Sequence, residues 1–291
     1  MERESDMKEQ LVRHIKDYIY NHPNNIHPST GKRYYDEPDT FFADASDSIF
    51  NKFKDVVSPE HMTPKEVFEF EYGEGTFKGG SVIVSVSAIQ EDIRASNRIR
   101  KDMASKEWAL SRGHGDEIFY KDRFREITKY IHGSGYKAVA PWLSDKFKVI
   151  RTNTLTSNWS ERHMAYAAGA GTFGLSDGFI TEKGTCVRII SIVTDMILEP
   201  DIRKKQSHTA NCLFMSKGLC GVCIKRCPVN AIDKNGHDKM KCAAFVYGKA
   251  SKEFAAEVGG IEKTGSGCGL CQTKVPCEFR NPMNKQLRMS S

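Results

Sequence analysis

The sequence predicts an α+β fold, a mixed body of strands and helices followed by a cysteine-rich module. Three observations carry this expectation. SVIVSVSAI (81–89) alternates Val with Ser or Ile, the period of a half-buried strand. DRFREITKYIHGSG (122–135) places Phe124, Ile127 and Ile131 on one helical face and stops at Gly133 and Gly135, and YKAVAP (136–141) then reads as a strand that Pro141 ends. Strand, helix and strand in this order point to a layered α/β body. Finally, eight of the nine cysteines fall between residues 212 and 277.

The other elements follow in chain order. MKEQLVRHIKDYIY (7–20) sets Leu11, Ile15 and Tyr18 on one face of an amphipathic helix. NHPNNIHPSTGKRYYDEPDT (21–40) is rich in Asn, Pro and Gly and reads as a loop. From 157 to 182, SNWSERHMAYAAGAGTFGLSDGFITE is a small-residue helix running into a glycine loop. TCVRIISIVTD (185–195) is expected as a central strand, and LEPDIRKKQSH (198–208) as a polar connection into the cysteine segment. The expected organisation is an N-terminal helix-and-loop segment (1–75), a core (76–204) and a metal module (205–291).

Composition restricts the setting. With 39% hydrophobic and 27% charged residues, the 291-residue chain is that of a globular protein with a real core. MERESDMKEQ carries charge and no apolar stretch, unlike a secretory signal. The longest apolar run, CVRIISIVTDMIL, is broken by Arg188 and Asp195, short of the roughly eighteen apolar residues of a membrane span. A cytoplasmic protein without a membrane partner is expected. The net charge of +6 falls to about +2 if eight thiolates hold two doubly charged iron–sulfur cores, which argues against nucleic acid as a partner.

Cysteines in such a chain point to metal rather than to a disulfide scaffold, which is short and secreted. CGVCIKRCPVNAID (220–233) is nearly the bacterial ferredoxin run C-x₂-C-x₂-C-x₃-C-P, with one thiolate missing. A second group, Cys268, Cys271 and Cys277, lies downstream, with Cys242 alone between them. Two-cluster ferredoxins cross their ligands, the last cysteine of one run serving the other cluster. Cys212 then supplies the missing ligand. One cluster takes Cys212, Cys220, Cys223 and Cys277, and the other takes Cys227, Cys242, Cys268 and Cys271. Structural zinc is the alternative, but paired zinc knuckles lie about 15–20 residues apart, whereas Cys223 and Cys268 are 45 apart. Cys186 is left over in an apolar strand as a buried thiol.

Gly169-Ala-Gly171-Thr-Phe-Gly174 spells the dinucleotide fingerprint, but a helix precedes it where that motif needs a strand. A nicotinamide site is not expected there. The segment SERHMAYAAGAGTFGLSDGFIT, followed by a strand and two crossed cysteine groups, resembles the epoxyqueuosine reductase and reductive dehalogenase superfamily. Glu161, Arg162, Ala165, Ala168, Gly169, Gly171 and Gly174 match its E-R-x-x-A-x-x-A-G-x-G-x-x-G pattern. The resemblance spans roughly 80–280 and is strongest over 157–280.

The resemblance implies a nitroreductase-like α/β core with a bacterial-ferredoxin-like module holding two [4Fe–4S] clusters. It also implies base-off cobalamin between them, with Gly169, Gly171, Thr172, Phe173, Gly174 and Phe179 facing the corrin. The implied activity is a reductase that passes electrons through both clusters to cobalamin and reduces a small organic substrate. An external low-potential carrier, a ferredoxin or flavodoxin, would supply the electrons. Two alternatives stand beside it: an electron-transfer or corrinoid-binding protein without its own substrate, and an epoxyqueuosine reductase acting on tRNA. Epoxyqueuosine reductases carry an aspartate shortly before the E-R pair, but NTLTSNWSER has no carboxylate between Arg151 and Glu161. No catalytic residue is assigned; Tyr166, Ser157 and Asp177 are candidate proton donors.

Overall fold

The computed structural model describes residues 2–27, 30–204 and 206–284, and for residues 2–5 only the helical backbone. The chain opens with α1 (Glu2–Asn21), β1 (Asp39–Asp44), α2 (Ile49–Val56), α3 (Pro64–Tyr72), β2 (Ser81–Ala88), α4 (Glu91–Arg98) and α5 (Lys106–Leu110). A π-helical stretch over 111–119 leads into α6 (Tyr120–Gly133), followed by β3 (Ala138–Val139), β4 (Val149–Arg151), β5 (Leu155–Ser157) and α7 (Glu161–Ala167). Next come β6 (Gly171–Phe173), β7 (Phe179–Thr181) and β8 (Val187–Thr194). The cysteine-rich part holds α8 (Leu213–Lys217), α9 (Val222–Arg226), β9 (Ile232–Asp233), β10 (Gly236–His237), α10 (Lys239–Val246) and α11 (Lys249–Glu257).

The main sheet runs β1-β2-β8-β3, and every pairing in it is antiparallel. The strands predicted over 81–89 and 185–195 are therefore its central pair, in register from Ser81↔Thr194 to Ala88↔Val187. Both are almost wholly buried because each face meets helices. Ile83, Ile190 and Ile192 pack with Leu11, Ile15, Phe124, Ile127 and Ile131 of α1 and α6. Val82, Val84, Val86, Ile189 and Val193 pack on the other face with Phe50 and Phe53 of α2, Val67 and Phe68 of α3, and the alanines of α7. The period of two thus sorts one strand between two apolar layers, and the serines interleaved with the valines stay buried.

Three expectations change. The strand expected over 136–141 shortens to the two residues of β3, which pair antiparallel with β8, so the sheet has no parallel pair. Residues 39–44, four of them outside the predicted loop, form β1 and pair with β2, so segment 1–75 contributes a strand to the core sheet. Its helix α1 also supplies Leu11 and Ile15, both at most 1% exposed, to the same core. The π-helical stretch had no local signature beyond its glycines. Gly115 sits against Tyr35, where a Cβ would meet the phenol oxygen at 2.5 Å, and this closeness lets Tyr35 Oη donate to Asp116 at 2.6 Å. Among the described residues, no helix is long and apolar enough to cross a membrane.

Candidate functional site

The two cysteine groups fold onto the edge of the core. Arg226, at the end of α9, joins them: its guanidinium donates to the carbonyls of Leu270 (3.2 Å), Thr273 (3.1 Å) and Arg100 (2.7 Å). Asn97 of α4 donates to the carbonyl of Cys268 at 3.1 Å. Downstream, the Cys277 carbonyl accepts the Thr185 N–H (2.8 Å) and the Glu278 carbonyl accepts the Cys186 N–H (3.2 Å). Glu278 itself is 2% exposed and anchors this strap to Arg98 and Arg94 of α4.

Within this frame the thiols lie close enough to act on one another. Burial and then the neighbouring Cys212 and Cys220 push the Cys223 thiol up to about 11. Cys277 is pushed up to about 12 by burial and by Cys212, Cys223 and Cys220. The other set behaves alike. Cys268 rises to about 11 through burial with Cys242 and Cys227 beside it, and Cys271 is also raised, by burial first and then by Cys268, Cys242, Cys223 and Cys227. Cys212, Cys220, Cys223 and Cys277 also line one common cavity, closed by Leu175, Ile180 and Phe214. All nine cysteines are free thiols.

These sets fit iron–sulfur clusters. Thiolates crowded in an apolar pocket repel one another, and a cationic core reverses that cost. The surrounding backbone supplies N–H groups to sulfur, as Ala231 does to Cys227 Sγ at 3.1 Å. Among the described residues, no three His, Cys, Asp or Glu side chains converge on a single-ion site. Cys186 stands apart, 1% exposed, its thiol donating to the Gln272 carbonyl at 3.1 Å.

The glycine loop is β6, a turn and β7. Gly171 lies against the Ile180 carbonyl, and a Cβ on Gly174 would meet the Ile180 side chain at 3.1 Å. Gly169, at φ +77°, faces the backbone of Ile202 and Arg203. Thr172 is 1% exposed and its Oγ1 accepts the Asn211 N–H at 2.8 Å, while Phe179 is 2% exposed. Phe173 is half-buried, its ring packed on His163, Tyr166 and Phe179. The close approaches that the glycines permit are to the protein's own strands, so the loop does not fit cobalamin as the sequence placed it.

The rest of the E-R segment is structural in its contacts. Arg162 donates to the Asp177 carbonyl at 2.8 Å, and Ala165 and Ala168 are fully buried. Both carboxylate oxygens of Glu161 are buried near Ser191 of β8 without a well-formed hydrogen bond, and burial lifts the carboxyl to about 8 despite that serine. Burial likewise drives His61 down to about 4 and His163 to about 3, so both are neutral imidazoles. They bracket Ser160: its N–H reaches His61 Nε2 at 3.2 Å and its hydroxyl contacts His163 Nδ1 at 2.8 Å.

The candidate proton donors are not gathered at one point. Ser157 donates to the Trp159 carbonyl at 2.6 Å. Asp177, at φ +55°, meets His237 Nδ1 at 3.2 Å and Lys239 at 3.6 Å. Burial would raise its carboxyl, but His237, Lys239 and Arg162 outweigh that and hold it below the usual range, so it is ionised at neutral pH. His237 in turn neighbours Cys242, which links the glycine loop to the second thiol set. Sequence reasoning missed this link and also Glu278. The signal for Glu278 was a lone acid directly after the last cysteine in a basic stretch.

Known proteins share the fold. No protein-family model matches the chain. The epoxyqueuosine reductase of Staphylococcus aureus is 28% identical over 132 residues, 44% of this chain and 32% of that protein. A solved epoxyqueuosine reductase superposes with a TM-score of 0.53 at 16% identity, covering 94% of this chain and 66% of its own. A structure of epoxyqueuosine reductase with an epoxyqueuosine-modified tRNA-Tyr stem loop aligns equally well. The Streptococcus thermophilus enzyme reaches 0.51 at 15% identity, over 96% of this chain and 68% of its own. The chain therefore has the mixed α+β fold of these oxidoreductases. In sequence and fold it is similar to epoxyqueuosine reductase, as the E-R segment and crossed cysteines led one to expect. It spans about a third of the curated relative and about two thirds of the solved ones.

Proposed function

We propose that this protein is an iron–sulfur oxidoreductase of the epoxyqueuosine reductase kind, with a nitroreductase-like core and a ferredoxin-like module. The observation that supports the reading is the closeness of the buried thiols, which we read as two crossed sets, Cys277 with Cys212, Cys220 and Cys223, and Cys227 with Cys242, Cys268 and Cys271. Two [4Fe–4S] clusters bound there would supply one-electron relay at low potential. The chain's own residues hold and shield that relay: Arg226 fixes the two cysteine loops together, and Glu278 straps Cys277 to α4. The module would begin near residue 207 and rest on a core that includes β1. Electrons would come from an external low-potential carrier, since no dinucleotide context surrounds the glycine loop.

Cobalamin, which the resemblance brings with it, has no seat among the loop residues described above, and no step is drawn through it. The substrate is drawn in two forms. One is a small organic electrophile. The other is an epoxyqueuosine-modified tRNA stem loop, favoured by the aligned complex with such RNA. That alignment outweighs the net-charge argument against nucleic acid, which treats charge as uniform over the surface. The test is anaerobic reconstitution with iron and sulfide, followed by iron analysis, reduced-state EPR and turnover on each substrate form. About eight irons per chain with two interacting cubanes are expected; about four irons, or bound zinc, would overturn the reading. Uptake of added hydroxocobalamin would show a corrin seat away from the glycine loop.

A further inference from the structure

We infer that the exposed face around Cys220, formed by residues 215–220 and the loop 276–283, is the docking surface for a small acidic electron-carrier protein. The inference rests on the iron–sulfur reading above. Of the nine cysteines, Cys220 is the one exposed to solvent. It stands at φ +109°, between the left-handed Gly218 and Gly221, a backbone path that keeps the whole run 215–220 outside. Any cluster held by Cys220 is thereby brought to this surface, where the path for an electron is shortest.

The face has an apolar centre. Met215, Leu219 and Phe279 are 48%, 61% and 52% exposed. The two segments share one rim, for Ser216 Oγ contacts Met283 Sδ at 3.7 Å, and Cys220, Pro276 and Pro282 line the same cavity.

Its charge is mainly positive; the exposed acid against it, Glu182, is held at the edge of the loop by Asn281 and Asn284. Between 213 and 229 the charged residues are Lys217, Lys225 and Arg226, with no acid. Between 273 and 284 Lys274 and Arg280 stand against the single acid Glu278, which is buried and paired inward with Arg98. Lys217, Lys225, Lys274 and Arg280 are all exposed. The acids behind Phe279 are engaged: Asp36 accepts from Gln90, and Glu37 pairs with Lys16.

An apolar patch ringed by cations suits a brief, steered encounter. Electron-transfer complexes are small and weak, and complementary charge raises their association rate more than their affinity. An acidic carrier is favoured over a nucleic acid because the centre of the face offers bare Leu and Phe rather than phosphate contacts. At this face one electron leaves the reduced carrier and is accepted by the oxidised cluster, and no bond is made or broken.

The test uses the reconstituted full chain and an acidic ferredoxin. Calorimetry measures binding of the oxidised ferredoxin, and stopped-flow bleaching measures reduction by the reduced form. The K217E/R280E variant should bind ferredoxin about tenfold more weakly at low ionic strength. Wild-type binding should fall with salt over the range where the Debye length shrinks from about 30 to 8 Å. L219S should weaken binding at every ionic strength. Iron content, melting temperature and reduction by dithionite should not change in any variant. Ferredoxin binding within twofold of wild type in both variants overturns the docking surface, as does displacement of ferredoxin by a tRNA stem loop bound at the same face. Absence of iron in the wild type, or failure of dithionite to reduce it, overturns the iron–sulfur reading instead.

Discussion

Replacing Glu278 by Gln tests how the thiol module is fastened to the core. Glu278 is 2% exposed and meets Arg98 Nε at 2.8 and 3.0 Å, Arg98 Nη2 at 2.6 Å and Arg94 Nη1 at 3.4 Å. It also accepts the Lys274 N–H at 2.7 Å, which closes the turn ahead of Cys277. Glutamine keeps the shape and one acceptor, but it turns an NH₂ toward a guanidinium and removes the charge. Breaking a buried ion pair by removing one partner costs about 3–5 kcal/mol. Arg98 and Arg94 both keep Glu91, at 2.6 and 2.8 Å, so the lower end applies, about 3 kcal/mol. At roughly 1.4 kcal/mol per decade, that is about a hundredfold loss in the folding equilibrium.

The assay is anaerobic urea unfolding of the loaded protein, with the midpoint shifting and the slope unchanged. Iron release to a chelator should quicken in the same variant, because Cys277 lies next to the released strap. Two controls separate the causes. Glu91→Gln, at a carboxylate 59% exposed, should cost less than about 1 kcal/mol. A double-mutant cycle of E278Q with R98Q should return a coupling energy of about 1–3 kcal/mol. A shift below about 1 kcal/mol for E278Q, or a cycle without coupling, would refute the fastening role.

Gly269→Ala should be costly, because Gly269 sits at φ +66° with the Trp108 ring where a Cβ would stand. Left-handed strain of about 1–2 kcal/mol adds to overpacking of about 1–3 kcal/mol, and Trp108 fluorescence should shift as the ring moves; an unchanged spectrum and midpoint would contradict the contact. Cys212→Ser should disturb the EPR signature of one cluster and Cys186→Ser neither; a silent Cys212→Ser would undo the crossed assignment. The pH profile tests Glu161. Its folded carboxyl titrates at about 8, above its unfolded value, so the native state binds the extra proton and stability is lost as pH rises from about 4.5 through 8. Glu161→Gln should remove that decline, and a variant with the same alkaline slope as wild type would show that the carboxyl is not buried.

What the sequence disclosed follows from what one-dimensional spacing can encode. The strand over 81–89 was legible because each valine has to enter one of two apolar layers, and a period of two leaves no other register. The gathering of the cysteines was legible because their spacing in a two-cluster module is itself a sequence pattern, and the structure brings their thiols near one another. β1 was not, since DTFFAD follows directly on a run of turn formers and gains its strand only by pairing with Val82, Val84 and Val86. The glycine loop was misread for a different reason. A glycine reports that something comes close to the backbone, and the letters cannot say whether that is a ligand or the chain's own Ile180 and Arg203. Glu278 shows the same limit from the other side. Its neighbour Cys277 announced chemistry, while its own role depends on Arg98, 180 residues away in sequence, and no local pattern carries a contact of that length. The cysteines themselves were therefore readable as a group, and the residues that hold them in place needed the fold.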